Sequence, residues 1–317
     1  MKKTLFTILL TLPYACTPPH LSTTTQSPSL YSPLIQKPSF QQSNYQARFE
    51  QIKEKLRKKG FEISSSYFSN PSTLIYLPDI HTTQQTQKQI LNLEAIQEIL
   101  EPDVYFLESL SGKITPQYIE KIKRARRKRK ENLESLTLQE FFLSSLPTDY
   151  ACFLKGKTCY GIEAPSFYPI LLKEQAHIAR LRKELCFLLL ESYVSLVLHP
   201  FEANLDYNQR PEQIKMFLRQ HNLTQPFFNS LVNLIDKQQK LLDYLAKHNI
   251  MPPTERELEK FKYQLVEKRS RKAAKICHSI LKPEQIGLII YGQLHTKSFL
   301  TELKKLNQSY IAIKNAS

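Results

Sequence analysis

Short, strongly apolar segments are separated by long amphipathic stretches along this chain, a pattern typical of buried strands between helices. The runs TLIYL, VYFL, GLIIY and YIAI are rich in β-branched and aromatic residues, and they predict buried strands at 73–77, 104–107, 287–291 and 310–313. A further strand is predicted at 160–162, as one arm of a hairpin that turns at Lys155 and Gly156. Apolar periodicity predicts helices at 47–60, 84–100, 115–134, 137–145, 169–198, 211–220, 225–248 and 254–281.

Strands with apolar centres that alternate with helices indicate an α/β fold, in which a central, mostly parallel sheet is covered by helices. Residues 165–282 contain no strand pattern, which predicts a helical insertion between the two halves of the sheet. Within it, the nearly all-apolar run 185–198 is shorter than the roughly 20 residues of a membrane span. The run also contains Glu191, so a buried core helix is the favoured interpretation.

The first residues have the pattern of a secretory signal. Lys2 and Lys3 precede an apolar run at 5–12, and a small residue, Ala15, precedes Cys16. This pattern resembles a bacterial lipoprotein lipobox, although Pro13 stands where such a motif has Leu. The resemblance implies a signal peptide at 1–15, acylation of Cys16, and a lipoprotein anchored to the membrane of the cell envelope. Plain secretion is the alternative.

Residues 17–46 are built mainly of Ser, Thr, Pro and Gln. Such a segment cannot bury enough apolar area to offset the entropy of ordering it, so a flexible tether is expected at 16–46. The folded α/β domain is then predicted at 47–317.

The chain is strongly basic, with 44 Lys and Arg against 29 Asp and Glu and a net charge of +15. Such a surface attracts polyanions. Because the N-terminus predicts export, an anionic membrane surface is the expected partner, and nucleic acid is not expected. Eight of the cations lie within residues 121–130. On a helix they would surround every face, which predicts a solvated segment.

Ionisable residues lie just past the ends of four of the predicted strands: Asp79 and His81, Glu108, Glu163, and His295. In parallel α/β sheets, ligands bind beyond the carboxyl ends of the strands, so these side chains are candidate site residues. One interpretation is a divalent metal (Zn, Mn, Fe or Co) held by His81, Glu108, Glu163 and His295. The other is metal-free acid–base chemistry by the same imidazole and carboxylate groups.

The same positions carry a family resemblance. The chain has L-P-D-I-H at 77–81, F-L-E-S-L at 106–110, Y-G-I-E at 160–163, E-K-R-S-R-K-A-A at 267–274 and Y-G-Q-L-H at 291–295. In order and approximate spacing these segments resemble the superfamily that joins TraB/PrgY-like and TIKI-type proteins, erythromycin esterases and ChaN-like lipoproteins. Three positions depart from its motifs: Pro78 replaces a Gly, Ser270 an Asn, and Ala273 a Met. The resemblance implies a site formed by His81, Glu108, Glu163, Arg269 and His295.

Two functional hypotheses follow from this resemblance. The first is an exported, lipid-anchored hydrolase of ester or peptide bonds, acting on a small molecule or peptide, in which Arg269 stabilises charge and a divalent metal is an optional cofactor. The second is a non-catalytic lipoprotein that binds haem or a metal, since His and Tyr ligate haem iron. A basic scaffold without a site is a third hypothesis. In the predicted hairpin Cys152 faces Cys159, and both a disulfide and free thiols remain open.

Overall fold

All the strands belong to one mixed sheet in a computed structural model of the chain, which describes residues 40–79, 83–198 and 226–314. The strands are β1 (Ile63–Tyr67), β2 (Thr73–Asp79), β3 (Val104–Leu107), β4 (Ser111–Lys113), β5 (Cys159–Ile162), β6 (Ile286–Gly292) and β7 (Ser309–Ile313). They lie in the order β1-β7-β2-β6-β3-β5-β4. The five inner strands are mutually parallel, and the outer strands β1 and β4 pair antiparallel with β7 and β5. The predicted mostly parallel α/β fold is therefore confirmed.

The described helices precede, separate and follow these strands along the chain. Their bounds are α1 (Phe40–Lys58), α2 (Thr83–Leu100), α3 (Pro116–Glu131), α4 (Leu138–Ser145), α5 (Asp149–Phe153), α6 (Tyr168–Leu198), α7 (Pro226–Lys247), α8 (Glu255–Lys262), α9 (Arg269–Ile280) and α10 (Thr296–Lys305). A π-helical turn at Tyr263–Lys268 joins α8 to α9, and short 3₁₀ turns lie at Leu133–Ser135, Pro165–Phe167 and Gln293–His295.

The chain divides into two compact units. The first, here called the sheet unit, comprises the described residues up to Lys113, Asp149–Ile162, and the residues from Arg271 onward. The second, the helical unit, comprises Ile114–Thr148 and Glu163–Ser270. Between 165 and 282 the described residues contain no strand, in agreement with the predicted helical insertion.

Helices bury both faces of the sheet in the sheet unit. On one face, α9 and α10 cover strand residues of β2, β3, β6 and β7 through Ala274, Cys277, Phe299 and Leu303. Alternate residues of the same strands point to the other face, where α2 packs against β2. Helices α1 and α2 contribute buried side chains such as Leu56, Leu93 and Ile96. Every residue of β2, β3 and β6 is consequently buried.

The helical unit has its own apolar interior. Helices α6 and α7 pack together, burying Ala176 and Leu190 from α6 and Val232 and Ile235 from α7. Leu188 of α6 is nevertheless 59% exposed, so the predicted core helix is buried on only part of its surface. Within the described ranges, no helix has the length and apolar character needed to cross a membrane.

Three expectations need correction: the hairpin at Lys155 and Gly156, the extent of the tether, and the fully solvated character of the basic run. Cys152 lies in helix α5, and β5 pairs with β3 and β4, so there is no hairpin at Lys155 and Gly156. Cys152 and Cys159 are both free thiols, the first exposed and the second buried. Helix α1 begins at Phe40, so residues 40–46, which were predicted to belong to the tether, are helical.

The third correction concerns the basic run in α3. Ile122 and Ala125 are buried, so this helix has an apolar side that the dense charge conceals in the sequence. The signal peptide, Cys16, His81 and the predicted helix at 211–220 lie outside the described residues.

Candidate functional site

The parallel strands bring three candidate residues to one edge of the sheet. Strand β6 lies between β2 and β3, and their carboxyl ends therefore meet. Asp79 is the last residue of β2 and is aligned with Gly292, the last residue of β6. Glu108 directly follows β3, and His295 closes the 3₁₀ turn that follows β6. All three side chains are buried.

Glu108 and His295 form the centre of this edge. The backbone N–H of Gly292 donates a hydrogen bond of 2.6 Å to Glu108 Oε2, which fixes the carboxylate against the end of β6. Its other oxygen, Oε1, lies 3.7 Å from His295 Nε2, and both side chains are 8% exposed. Ser109 follows with φ of +63°, a left-handed conformation that turns the chain sharply away from Glu108. The carboxylate is thus held by backbone geometry with one oxygen facing the imidazole.

The imidazole of His295 is held by aromatic packing. It stacks on the ring of Tyr291, with the centroids 4.4 Å apart and the planes inclined by 14°. Beneath the turn, the hydroxyl of Tyr76 lies 2.8 Å from Thr296 Oγ1 and 3.2 Å from the carbonyl oxygen of Gly292. Burial raises the pKa of Tyr76, and the charges of Glu108 and Asp79 add to this rise while the hydrogen bond with Thr296 opposes it. A neutral tyrosine therefore supports the turn that carries His295.

Asp79, which was a candidate because of its position after β2, belongs to the same edge, together with Tyr150, which was not predicted. Asp79 is 2% exposed, and Tyr150 lies close enough for the aspartate charge to raise its pKa in addition to the larger effect of burial. The position of Asp79 after the apolar run TLIYL and Pro78 makes it a candidate by the same rule as Glu108. No sequence pattern marks Tyr150 as a site residue, because it lies in the short helix α5 and does not follow a strand.

Glu163 and Arg269 form a second buried pair, in the helical unit. The guanidinium donates from Nε and Nη2 to the same oxygen, Glu163 Oε2, each at 2.6 Å. The side chains of Glu163 and Arg269 are 2% and 9% exposed, so Arg269 is buried although it lies on a Lys-rich helix. Arg269 follows the π-helical turn, a feature that is frequent at functional sites. Ser270, the residue after it, donates its hydroxyl to the carbonyl of Val266.

Four of the five predicted site residues thus form two pairs, and the fifth, His81, lies outside the described residues. Glu108 and His295 are brought together in the sheet unit, and Glu163 and Arg269 in the helical unit. Across the described ranges, no group of three or more His, Cys, Asp and Glu side chains is arranged to hold a metal ion.

Comparison with known proteins identifies no relative of this chain: no family model, no curated protein and no solved structure matches it.

Proposed function

We propose that this chain is an exported, lipid-anchored hydrolase of ester or peptide bonds, and that His295 and Glu108 are its catalytic pair. The observation that carries the proposal is the buried imidazole–carboxylate contact at the carboxyl edge of the parallel sheet. Ligand sites of open α/β sheets occur at this edge. The short motifs that resemble the TraB, TIKI, esterase and ChaN group support the same assignment, since two of them contain Glu108 and His295.

The pair is suited to general base and then general acid catalysis. The imidazole of His295 takes a proton from a water molecule as the water oxygen attacks the carbonyl carbon of the substrate. Glu108 stabilises the resulting imidazolium and keeps the ring oriented, because its own carboxylate is fixed by the N–H of Gly292. The imidazolium then returns the proton to the leaving alcohol or amine as the carbon–oxygen or carbon–nitrogen bond breaks. Proton transfer of this kind contributes about 10²–10⁴-fold to a rate.

A divalent metal fits this site only in part. His295 and Glu108 offer one imidazole nitrogen and one carboxylate oxygen, whereas a catalytic zinc site has three protein ligands. In a metal-dependent form, His81 would be the third ligand, and the metal would supply a water of lowered pKa. The roles that the resemblance implies for His81, Glu163 and Arg269 stay predictions.

The proposal is tested with the full chain, assayed on a panel of chromogenic esters and fluorogenic peptides. Each assay is run after chelation and again after addition of zinc or manganese. We expect His295→Ala and Glu108→Gln to lower the best activity by about 100-fold or more. His278→Ala and Glu302→Gln are matched controls, because they remove a partly buried imidazole and a buried carboxylate elsewhere in the sheet unit.

The controls are expected to retain activity. Equal losses in the control and test variants would contradict the assignment, as would a folded chain that hydrolyses nothing in the panel. A Soret band on haem titration without hydrolysis would instead support the second hypothesis, a haem-binding lipoprotein.

A further inference from the structure

The basic run of helix α3 contains three half-buried cations that bond to other residues of the helical unit, and five exposed cations. Arg126 donates to Thr148 Oγ1 at 2.7 Å and to the carbonyl of Leu146. Lys128 pairs with Glu140 at 2.9 Å, and Arg129 donates to Ser145 Oγ at 2.8 Å. These three cations attach α3 to α4 and the segment after it, so they are part of the packing of the helical unit.

The other five cations of the run are exposed: Lys121, Lys123, Arg124, Arg127 and Lys130. Lys123 pairs with Glu120 at 3.0 Å. No acidic side chain of the described residues forms an ion pair with Arg124, Arg127 or Lys130. At 1.5 Å rise per residue, the row from 121 to 130 is about 14 Å long. We call these five side chains the α3 cation row.

A shallow cavity of about 350 Å³ lies beside this row. It is lined by Glu120, Lys123, Arg126 and Arg127, so three of its four lining residues are cations. Such a depression is large enough for a phosphate group, and Arg and Lys are the side chains that bind phosphate oxygens.

We propose that the α3 cation row is a docking surface for an anionic lipid membrane, with phosphate headgroups as its ligands. Helix α3 has no exposed large apolar side chain, so the contact is electrostatic and does not involve insertion into the acyl region. The N-terminal pattern that resembles a lipobox favours a membrane over nucleic acid, because an acyl chain at Cys16 would hold the row close to lipid headgroups. The proposal rests on the lipid anchoring that is part of the proposed function, but not on the hydrolytic activity, since none of the cations in the row belongs to the catalytic pair.

The test uses the full chain produced without acylation, so that binding reports the protein surface rather than an acyl anchor. Co-sedimentation is measured with vesicles of phosphatidylcholine alone and of phosphatidylcholine mixed with phosphatidylglycerol. The test variant is Arg124→Gln, Arg127→Gln and Lys130→Gln combined. The control variant is Arg57→Gln, Arg256→Gln and Lys260→Gln, which removes the same number and types of exposed cations elsewhere.

We expect binding to the mixed vesicles alone, weakening as salt is raised, because screening shortens electrostatic reach to about 10 Å at 0.1 M salt. The test variant should bind the mixed vesicles roughly 10- to 100-fold more weakly, because each lysine or arginine near an anionic surface contributes substantially to binding. The control variant should lose about threefold at most.

Two results would overturn the proposal. One is an equal loss in the test and control variants, which would mean that net charge, and not the α3 row, attracts the vesicles. The other is a test variant that keeps vesicle binding but loses binding to a duplex oligonucleotide measured in parallel, which would assign the row to nucleic acid. Circular dichroism of both variants verifies that the helices remain folded.

Discussion

At the scale of single residues, the ion pair of Glu163 and Arg269 is expected to matter for stability as well as for any role in a site. Both side chains are shielded from water, and the guanidinium directs two N–H groups at one carboxylate oxygen. Removing one partner from such a pair leaves a buried charge without its counterion, which costs about 3–5 kcal/mol.

We therefore expect Glu163→Gln and Arg269→Met to lower the free energy of unfolding by about 3–5 kcal/mol each, measured by urea denaturation. The double variant should cost less than the sum, because neither charge remains. Lys314→Met is the control: it breaks an exposed pair with Glu62 of 2.8 Å and should cost less than about 1 kcal/mol. Single variants that cost no more than this control would contradict the buried-pair description.

The burial of Arg269 could not be predicted from the composition or the apolar periodicity of the segment around it. Its neighbours Lys268, Arg271 and Lys272 give the segment the composition of a solvated helix. Only the motif resemblance singled out Arg269. Its position after the π-helical turn depends on how the helix before it is wound, which apolar periodicity does not encode.

At the scale of elements, the apolar strands could be predicted and the edge strands could not. Strands β2, β3 and β6 are buried at every position, so each is a continuous apolar run in the sequence. Strand β1 (ISSSY) alternates between exposed and half-buried residues, and β4 (SGK) has only three residues. Their pairing is determined by β7 and β5, which lie far away in the chain.

Strand β4 approaches β5 so closely that Gly161 has no room for a side chain. A Cβ there would lie 2.0 Å from the carbonyl carbon of Leu110. We expect Gly161→Ala to lower the free energy of unfolding by about 3 kcal/mol or more, because the obstructing atoms are backbone. Gly60→Ala is the control. It has a φ of +94° but open space around it, and should cost about 1–2 kcal/mol. Similar costs in thermal or urea unfolding would contradict the close approach.

The stabilisation of helix α8 by the carboxylate of Glu257 at its N-terminus is expected to depend on pH. Glu257 completes a capping box: the backbone N–H of Thr254 donates to its carboxylate at 2.9 Å, and Lys173 pairs with it at 3.1 Å. These contacts lower the pKa of Glu257 to about 2, from an ordinary value of 4.5. Because the folded pKa is the lower one, the stabilisation is complete above pH 4.5 and is lost as the pH falls toward 2.

The free energies of unfolding of Glu257→Gln and of the unmodified chain should therefore become more similar as the pH is lowered through this range. Urea unfolding at a series of pH values measures this difference. Glu255→Gln, which removes a carboxylate of the same first turn outside the capping box, is the control. A difference in the free energy of unfolding between Glu257→Gln and the unmodified chain that does not change with pH would contradict the lowered pKa of Glu257.

At the scale of the whole molecule, the strand order explains why the candidate site could be predicted only in part. Ionisable residues after successive strands were visible in the sequence, but their spatial neighbours depend on the order β2-β6-β3 in the sheet. That order places Glu108 beside the turn of His295 and brings in Asp79. Glu163, which also follows a strand, is paired with Arg269 in the helical unit instead.

The predicted membrane attachment is also a property of the whole chain, because it combines the N-terminal pattern with the α3 cation row. Cys16→Ser removes the thiol that a lipobox would acylate. We expect this change to move the protein from the membrane fraction to the soluble fraction of bacterial cells that express the full chain, and to abolish incorporation of a labelled fatty acid. Retention of the label in Cys16→Ser would contradict acylation at this residue.

His295 and Glu108 are proposed to act as one catalytic unit, and the kcat/KM of their double variant measures whether they do. Groups that act together are strongly non-additive, so removing the second costs little once the first is gone. On the best substrate of the panel, we predict that His295→Ala combined with Glu108→Gln is as slow as the slower single variant, within about threefold. Losses that multiply in the double variant would contradict the claim, because each side chain would then be contributing independently.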